Sequence, residues 1–179
     1  MTGQFHLGVA LDGYGWHPQA WRATLASEPG TPSVLSGRYW AELAVEYAQR
    51  YGGTPDAHLA WLPVPADELA APNGGLLIGV VDGMPVTGGA FRRFDADTAE
   101  LKRIWTDSAH RRRGYARALL VALEAETAAR GYRRLYLITG NRQPEAEALY
   151  DATGYTRIAA EPLPDWGPFR PIAFEKWLV

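Results

Sequence analysis

The chain contains no cysteine, which excludes disulfides, thiolate metal sites and a thiol nucleophile while leaving the redox compartment undetermined. Lysine is nearly absent: of eighteen basic residues, only Lys102 and Lys176 are not arginine. Arginine's planar fork suits phosphate oxygens, although a GC-rich genome would produce the same bias. No run of about eighteen apolar residues occurs. The opening "MTGQFHLGVALDG" has neither a basic start nor a sustained apolar stretch, so no membrane span or export signal is expected and the chain reads as cytoplasmic. A GxxxxGK[ST] phosphate loop is missing, Gly13-Tyr14-Gly15 completes no dinucleotide fingerprint, and His6, His17, His58 and His110 show no ligand spacing. No metal is expected.

With 179 residues, 47 % of them hydrophobic and 12 % aromatic, the sequence has enough apolar material to bury one sizeable core without staples. The formal charge of −2 argues against a general nucleic-acid binder, whose surface would be basic over a wide area. Positive charge is instead local. "AHRRRGYARALL" sets Arg111, Arg112, Arg113 and Arg117 around the single Gly114.

Hydrophobic spacing supplies the elements. "SGRYWAELAVEYAQRYGG" predicts a helix with Ser36 as N-cap and Gly52-Gly53 as its end, since Trp40, Leu43, Ala44 and Tyr47 share one face. A short helix is expected around Ala66 to Ala70. "LLIGVV", the Asp82-Gly83 turn, "MPVTGGAFRRF" and "TAELKRIWT" read as three sequential antiparallel strands. Gly114 to Arg130 reads as a helix closed by Gly131, with Leu119, Ala122, Leu123 and Ala129 inward. A strand "RLYLIT", a short helix opened by Pro144 and closed by Gly154, and two strands in "GYTRIAA" and "PIAFEKWLV" follow. The fold class is therefore α/β (α+β) with a mostly antiparallel sheet.

The segment Arg111 to Ala116 lies between a strand and a helix, where the first amides of the helix are unpaired and favour an anion. Gly114 would let backbone and phosphate approach closely, with arginines adding charge-assisted bonds. A solvated, Arg-rich loop would have the same sequence.

The stretch "AELKRIWTDSAHRRRGYARALLVALE", followed by "GYRRLYLITGNRQPEAEALYDATGYTRI" and "FEKWLV", resembles the GCN5-related N-acetyltransferase (GNAT) superfamily, whose signature [RQ]-x-x-G-x-[GA] falls on Arg111 to Ala116. The resemblance runs from about Ser33 to the C-terminus and implies a mixed, mostly antiparallel sheet flanked by helices. It divides the chain into an N-terminal extension, 1–32, and an acetyltransferase domain, 33–179.

Acetyl-CoA is the implied co-substrate, with its diphosphate on the backbone of Arg111, Arg112, Arg113, Gly114, Tyr115 and Ala116. Its pantetheine arm would lie along Ile104, Trp105 and Thr106 as an added strand. Trp105 serves equally as a core residue, and Arg117 reaches either a phosphate or water. Glu100, eleven residues before Arg111, occupies the position of the base in histone-acetylating relatives; alternatively it pairs with Lys102 or a cross-strand Arg. Tyr150 matches the tyrosine that protonates the CoA thiolate, and otherwise packs in the core. Where many members carry an Asn seven residues before that Tyr, this chain has Gln143, with Asn141 two residues earlier.

"FHLGVALDGYGWHPQAW", Phe5 to Trp21, is similar to the first strand and loop of flavin-dependent luciferase-like monooxygenases. The barrel those enzymes need is absent, so no flavin is expected. A remnant of a fusion, a mis-set start and a first strand, Phe5 to Leu11, at the sheet edge all fit the stretch. The expected activity is direct acetyl transfer to a primary amine on a small molecule or protein, or CoA binding alone if catalysis has been lost. Tyr39, Glu42, Glu46 and the "PDWGPF" loop are candidates for an amine pocket. No nucleic-acid or membrane partner is expected, and a homodimer remains open.

Overall fold

In a computed structural model of the protein, residues 5–9, 32–60, 66–69, 71–82, 84–160 and 168–178 are described. The elements in chain order are β1 (Phe5–Val9), α1 (Pro32–Tyr51), α2 (Pro55–Ala60), a 3-10 turn (Ala66–Leu69), β2 (Gly75–Val81), β3 (Met84–Arg93) and β4 (Thr98–Thr106). A second 3-10 turn (Ser108–His110) leads to α3 (Tyr115–Ala129), β5 (Arg134–Gly140), α4 (Pro144–Ala152), β6 (Thr156–Ile158) and β7 (Pro171–Trp177). The strands form one seven-stranded sheet in the order β1-β2-β3-β4-β5-β7-β6. All neighbours are antiparallel except β4 and β5, which run parallel.

One face of the sheet presents Leu77, Phe91, Ala99, Leu101, Leu135, Leu137 and Phe174 to Leu119, Leu120 and Leu123 of α3 and to Tyr150 and Tyr155. Leucines at positions 119, 120 and 123 lie on one side of a 3.6-residue repeat, which is why this helix seals the core. On the other face Leu76, Ile78 and Ala90 cover Leu69. Leu43 and Tyr47 of α1 cover Trp105 there.

Three expectations change. Helix α1 begins at Pro32 rather than after Ser36, because proline already has helical φ and lacks only an N–H that a first turn leaves unbonded. The helix expected around Ala66–Ala70 is a 3-10 turn over Ala66–Leu69. At the N-terminus Phe5–Val9 pairs antiparallel with β2 as the sheet's edge, as expected; the rest of the luciferase-like stretch, including Ala10, Leu11 and Gly13-Tyr14-Gly15, lies outside the described residues. Alternation along β4 also fails past Lys102. The β3–β4 register shifts between Gly88 and Ala90, and Arg103 adopts a left-handed φ of 59°, as the first residue of a bulge does. The extra residue turns Ile104 toward α3, where it packs on the Leu119–Leu123 cluster, and Trp105 toward α1.

Candidate active site

The parallel pair β4–β5 is bonded over three positions only: Thr98 with Arg134, Ala99 with Leu135 and Glu100 with Tyr136. β4 nevertheless stays paired with β3 as far as Thr106, and β5 with β7 through Gly140. The two arms therefore separate beyond Glu100 and leave a fork in the sheet. On the β4 arm, the Asp107 N–H donates to Val86 O at 2.9 Å, and Thr87 Oγ1 donates to Trp105 O at 2.7 Å. The main-chain groups of residues 105 and 107 thus face β3, so strand alternation turns those of Thr106 toward the fork.

The loop at the end of this arm leads into the N-terminus of α3. Asp107 Oδ1 accepts from the Ala109 N–H at 2.9 Å and bonds His110 Nδ1 at 2.9 Å, closing the short 3-10 turn. Arg112 then takes a left-handed φ of 60°. Gly114, at φ 84°, is the N-cap of α3 and supplies no side-chain cap. The first helical bond is donated by the Ala118 N–H to Gly114 O at 3.0 Å. The amides of Tyr115 to Arg117 thus precede the first helical bond and form a donor cradle at the positive end of the helix. A Cβ placed on Gly114 would meet nothing within 4 Å; the glycine is required by its φ and leaves the cradle's front open.

A fork in a mixed sheet with a phosphate-type cradle at one tip is the arrangement the sequence resemblance implied. The model of the acetyltransferase (GNAT) family matches residues 38–155. The chain belongs to that family. Two curated relatives agree with it. Probable N-acetyltransferase family 8 member 5 of Mus musculus is 31 % identical over 109 residues, which are 61 % of this chain and 43 % of that protein. Uncharacterized N-acetyltransferase YsnE of Bacillus subtilis (strain 168) is 35 % identical over 81 residues, 44 % of this chain and 52 % of its own length. The chain thus spans about half the length of the curated relatives it matches. Among solved structures, a GNAT-family acetyltransferase from Staphylococcus aureus Mu50 shares the fold at TM-score 0.68 and 12 % identity, covering 98 % of this chain and all of that one (100 %). A GNAT acetyltransferase from Elizabethkingia anophelis with acetyl-CoA bound matches at TM-score 0.52 and 21 % identity, over 66 % of this chain and 94 % of its own.

Within the GNAT fold the expected site residues separate into distinct environments. Tyr150 is buried against Tyr155 and Phe174, with ring centroids 5.6 and 5.3 Å away. Burial pushes its phenol well above the ordinary value, and the nearby Tyr47 phenol adds to the shift. Tyr150 is therefore a neutral O–H throughout the neutral range and can give a proton but not take one. Glu100 is also buried. Its Oε2 accepts from Arg92 Nε at 2.7 Å, and its Oε1 pairs with Lys102 Nζ at 2.5 Å. Both oxygens are occupied by cations, which is the ion-paired alternative that the sequence left open.

Trp105 and Gln143 both have partners within the protein. Trp105 turns its main chain to β3, and its indole Nε1 donates to Glu42 Oε2 at 2.9 Å, so only its neighbours on β4 remain for an added strand. Gln143 faces inward: its Oε1 accepts from Thr139 Oγ1 at 3.0 Å and from the Gly140 N–H at 3.1 Å. Its amide also bonds the Tyr47 phenol. Asn141 Oδ1 accepts from the Arg170 N–H at 2.9 Å, a loop contact. Of the arginines, Arg113 reaches Ala109 O at 3.3 Å, while Arg112 and Arg117 are exposed and form no ion pair among the described residues. Tyr115 stacks on Phe5 of β1 at 4.9 Å, so the edge strand braces the first turn of α3.

Of the proposed amine pocket, Glu42 and Glu46 are engaged within the protein. The side chain of Tyr39 and residues 164–167 of the "PDWGPF" loop lie outside the described residues. Among the described residues no group of three or more His, Cys, Asp or Glu could hold a metal, and no helix is long and apolar enough to cross a membrane.

Tyr47, which the sequence placed only on the apolar face of α1, packs on Trp105 and bonds Gln143. Burial pushes its phenol up to about 12, with the Gln143 amide opposing the shift. A folded-state value above the unfolded one means that this group's contribution to stability is complete below pH 10 and is lost as pH rises toward about 12. Melting temperature should fall across that window, and Tyr47→Phe should flatten the fall. Parallel wild-type and Tyr47→Phe curves from thermal melts at pH 9 to 12 would contradict this assignment.

Proposed function

We propose that the chain is an acetyl-CoA-dependent N-acetyltransferase that acts on a primary amine by direct attack in a ternary complex. The observation that carries the reading is the fork beyond Glu100, with the glycine-capped start of α3 at the tip of one arm. The amides of the turn around Gly114 and the open space in front of that glycine fit a diphosphate, and the β4 edge around Ile104 and Thr106, which lacks a β5 partner, fits an amide-bearing arm once Arg111 Nε releases Thr106 O. Acetyl-CoA supplies the activated thioester carbonyl.

Glu100 is the proposed proton acceptor. An ammonium of the acceptor would replace Lys102 at Oε1, transfer one proton to the carboxylate and expose the nitrogen lone pair for attack. The Thr106 N–H, facing the fork, would hold the developing oxyanion. As the carbon–sulfur bond breaks, the thiolate would take the Tyr150 proton, giving the amide and free CoA thiol. With no cysteine in the chain, no acyl-thioenzyme is required.

Glu100→Gln tests the base. It should lower kcat/KM for the amine by about 10²-fold, most strongly where the amine is still protonated, with CoA affinity measured by calorimetry unchanged. An unaltered pH profile would assign Glu100 to the ion pair alone. Binding of CoA by wild-type protein without thiol release on any amine would favour a second reading, a binding module of the same fold.

A further inference from the structure

Beyond Glu100 no sheet hydrogen bond fixes the distance between the two arms of the fork; helix α1 does so instead. Glu42, Glu46 and Arg50 are spaced one turn apart on one ridge of this helix. Glu42 holds the β4 arm through Trp105 and through Ser108 Oγ, which donates to Oε1 at 3.1 Å. Glu46 pairs with Arg111 Nη2 at 2.6 Å through one oxygen and with Arg50 Nη2 at 2.7 Å through the other. Arg50 continues to Glu145 in the first turn of α4 and donates from Nη1 to Arg142 O at 2.5 Å. In return Arg142 Nη1 donates to Arg50 O at 2.7 Å, and the Arg142 N–H donates to the Tyr51 phenol at 3.1 Å. Four side chains, Glu145–Arg50–Glu46–Arg111, therefore bridge the mouth of the fork from α4 to the cradle. Burial acts to raise the Glu145 pKa, but the bond from Arg50 and the charges of Arg50 and Arg111 hold it below the usual value.

The orientation of Arg111 is the telling feature. It occupies the family's signature position, yet its guanidinium points to Glu46 and, through Nε, to Thr106 O at 3.3 Å. We infer that Glu46 is a positioning residue for the acyl donor: through Arg111 it sets the cradle of amides at a fixed spacing from the β5–α4 arm. This rests on the acetyl-CoA reading above. An isolated exposed pair would contribute little. Glu46 has a side chain only 17 % exposed and joins two cations anchored on opposite arms, so the bridge acts as a network.

The inference predicts a sign that electrostatics alone reverses. Removing a negative charge beside a diphosphate site should tighten binding if charge is all that matters, and removing the Arg50 cation should weaken it. If the bridge positions the cradle, Glu46→Gln and Arg50→Gln each weaken CoA binding by about 3- to 10-fold, and the double variant is no worse than either single one. Calorimetric titration with CoA reads this directly. Arg157→Gln, which breaks an exposed pair with Asp151, is the control and should leave the dissociation constant unchanged. Tighter binding by Glu46→Gln, or additive cancelling effects in the double variant, would overturn the inference while leaving the acetyl-CoA reading intact. No binding by wild-type protein would overturn both. Should Glu46→Gln fail to fold, Glu46→Asp keeps the charge and shortens the reach; weaker binding supports the bridge, and unchanged binding contradicts it.

Discussion

Gly114→Val is expected to weaken acetyl-CoA binding about 30-fold or more, on the basis of the roughly 1–2 kcal/mol left-handed penalty and the added β-branch. Gly114 has φ 84° with open space in front, so the substitution meets no neighbour. Its effect comes from the backbone. A β-branched residue would relax toward negative φ in the free protein and swing the amides of Tyr115 and Ala116 away from a common target. Binding would then have to restore the strained conformation, and that cost appears in the affinity. By comparison, Arg112→Ala, Arg113→Ala and Arg117→Ala should each cost less than about tenfold, because these side chains are exposed and screened by solvent, and Arg111→Ala should cost no more than the about 3- to 10-fold expected for loss of the Glu46 bridge. Calorimetry on the five variants checks the ranking. Arginine losses that exceed that of Gly114→Val would show that the guanidinium groups, not the backbone, are the main binding device.

Tyr150→Phe should lower kcat by about 100-fold, within the usual range for a positioned general acid, while leaving CoA affinity and melting temperature nearly unchanged. Phenylalanine keeps the ring against Tyr155 and Phe174, so packing survives and only the proton is lost. Because the phenol titrates well above its ordinary value, wild-type kcat should not decline through loss of this proton until pH exceeds 10. A variant with unchanged kcat would make Tyr150 a packing residue. One substitution alters a backbone turn and the other removes a buried hydroxyl, so the two should read out separately, one in binding and the other in turnover.

Much of this architecture was legible in the sequence because its signals are local. The leucines of α3 repeat at helical spacing, and glycines at positions 52, 114, 131 and 154 stand at the helix ends with positive φ. The hairpin at Asp82 and the strand periods gave the β2–β3–β4 meander. Arg103 is where the local signal failed, since an arginine carries no mark of a left-handed bulge; the bulge reversed the facing of every residue after it in β4, including Trp105. Glu42 and Glu46 failed differently. As a helix face they look solvated, and the Glu46–Arg50 pair at i,i+4 is visible in the sequence. Their other partners, Trp105, Ser108 and Arg111, lie more than sixty positions away, so only the tertiary fold reveals that α1 spans the fork. The partners of Gln143 were not legible either, since Thr139 and Gly140 meet it across a turn and Tyr47 from another helix.

Thiol release from acetyl-CoA, measured across a panel of primary amines that includes small free amines, amino acids and peptide N-termini, tests the central claim most directly. Release should require both the protein and an amine, yield one acetylated amine per thiol by mass spectrometry, and fall by about 100-fold in Tyr150→Phe. Release at the same rate without any amine, or equal release by wild type and Tyr150→Phe on every amine, would contradict direct transfer within the fork.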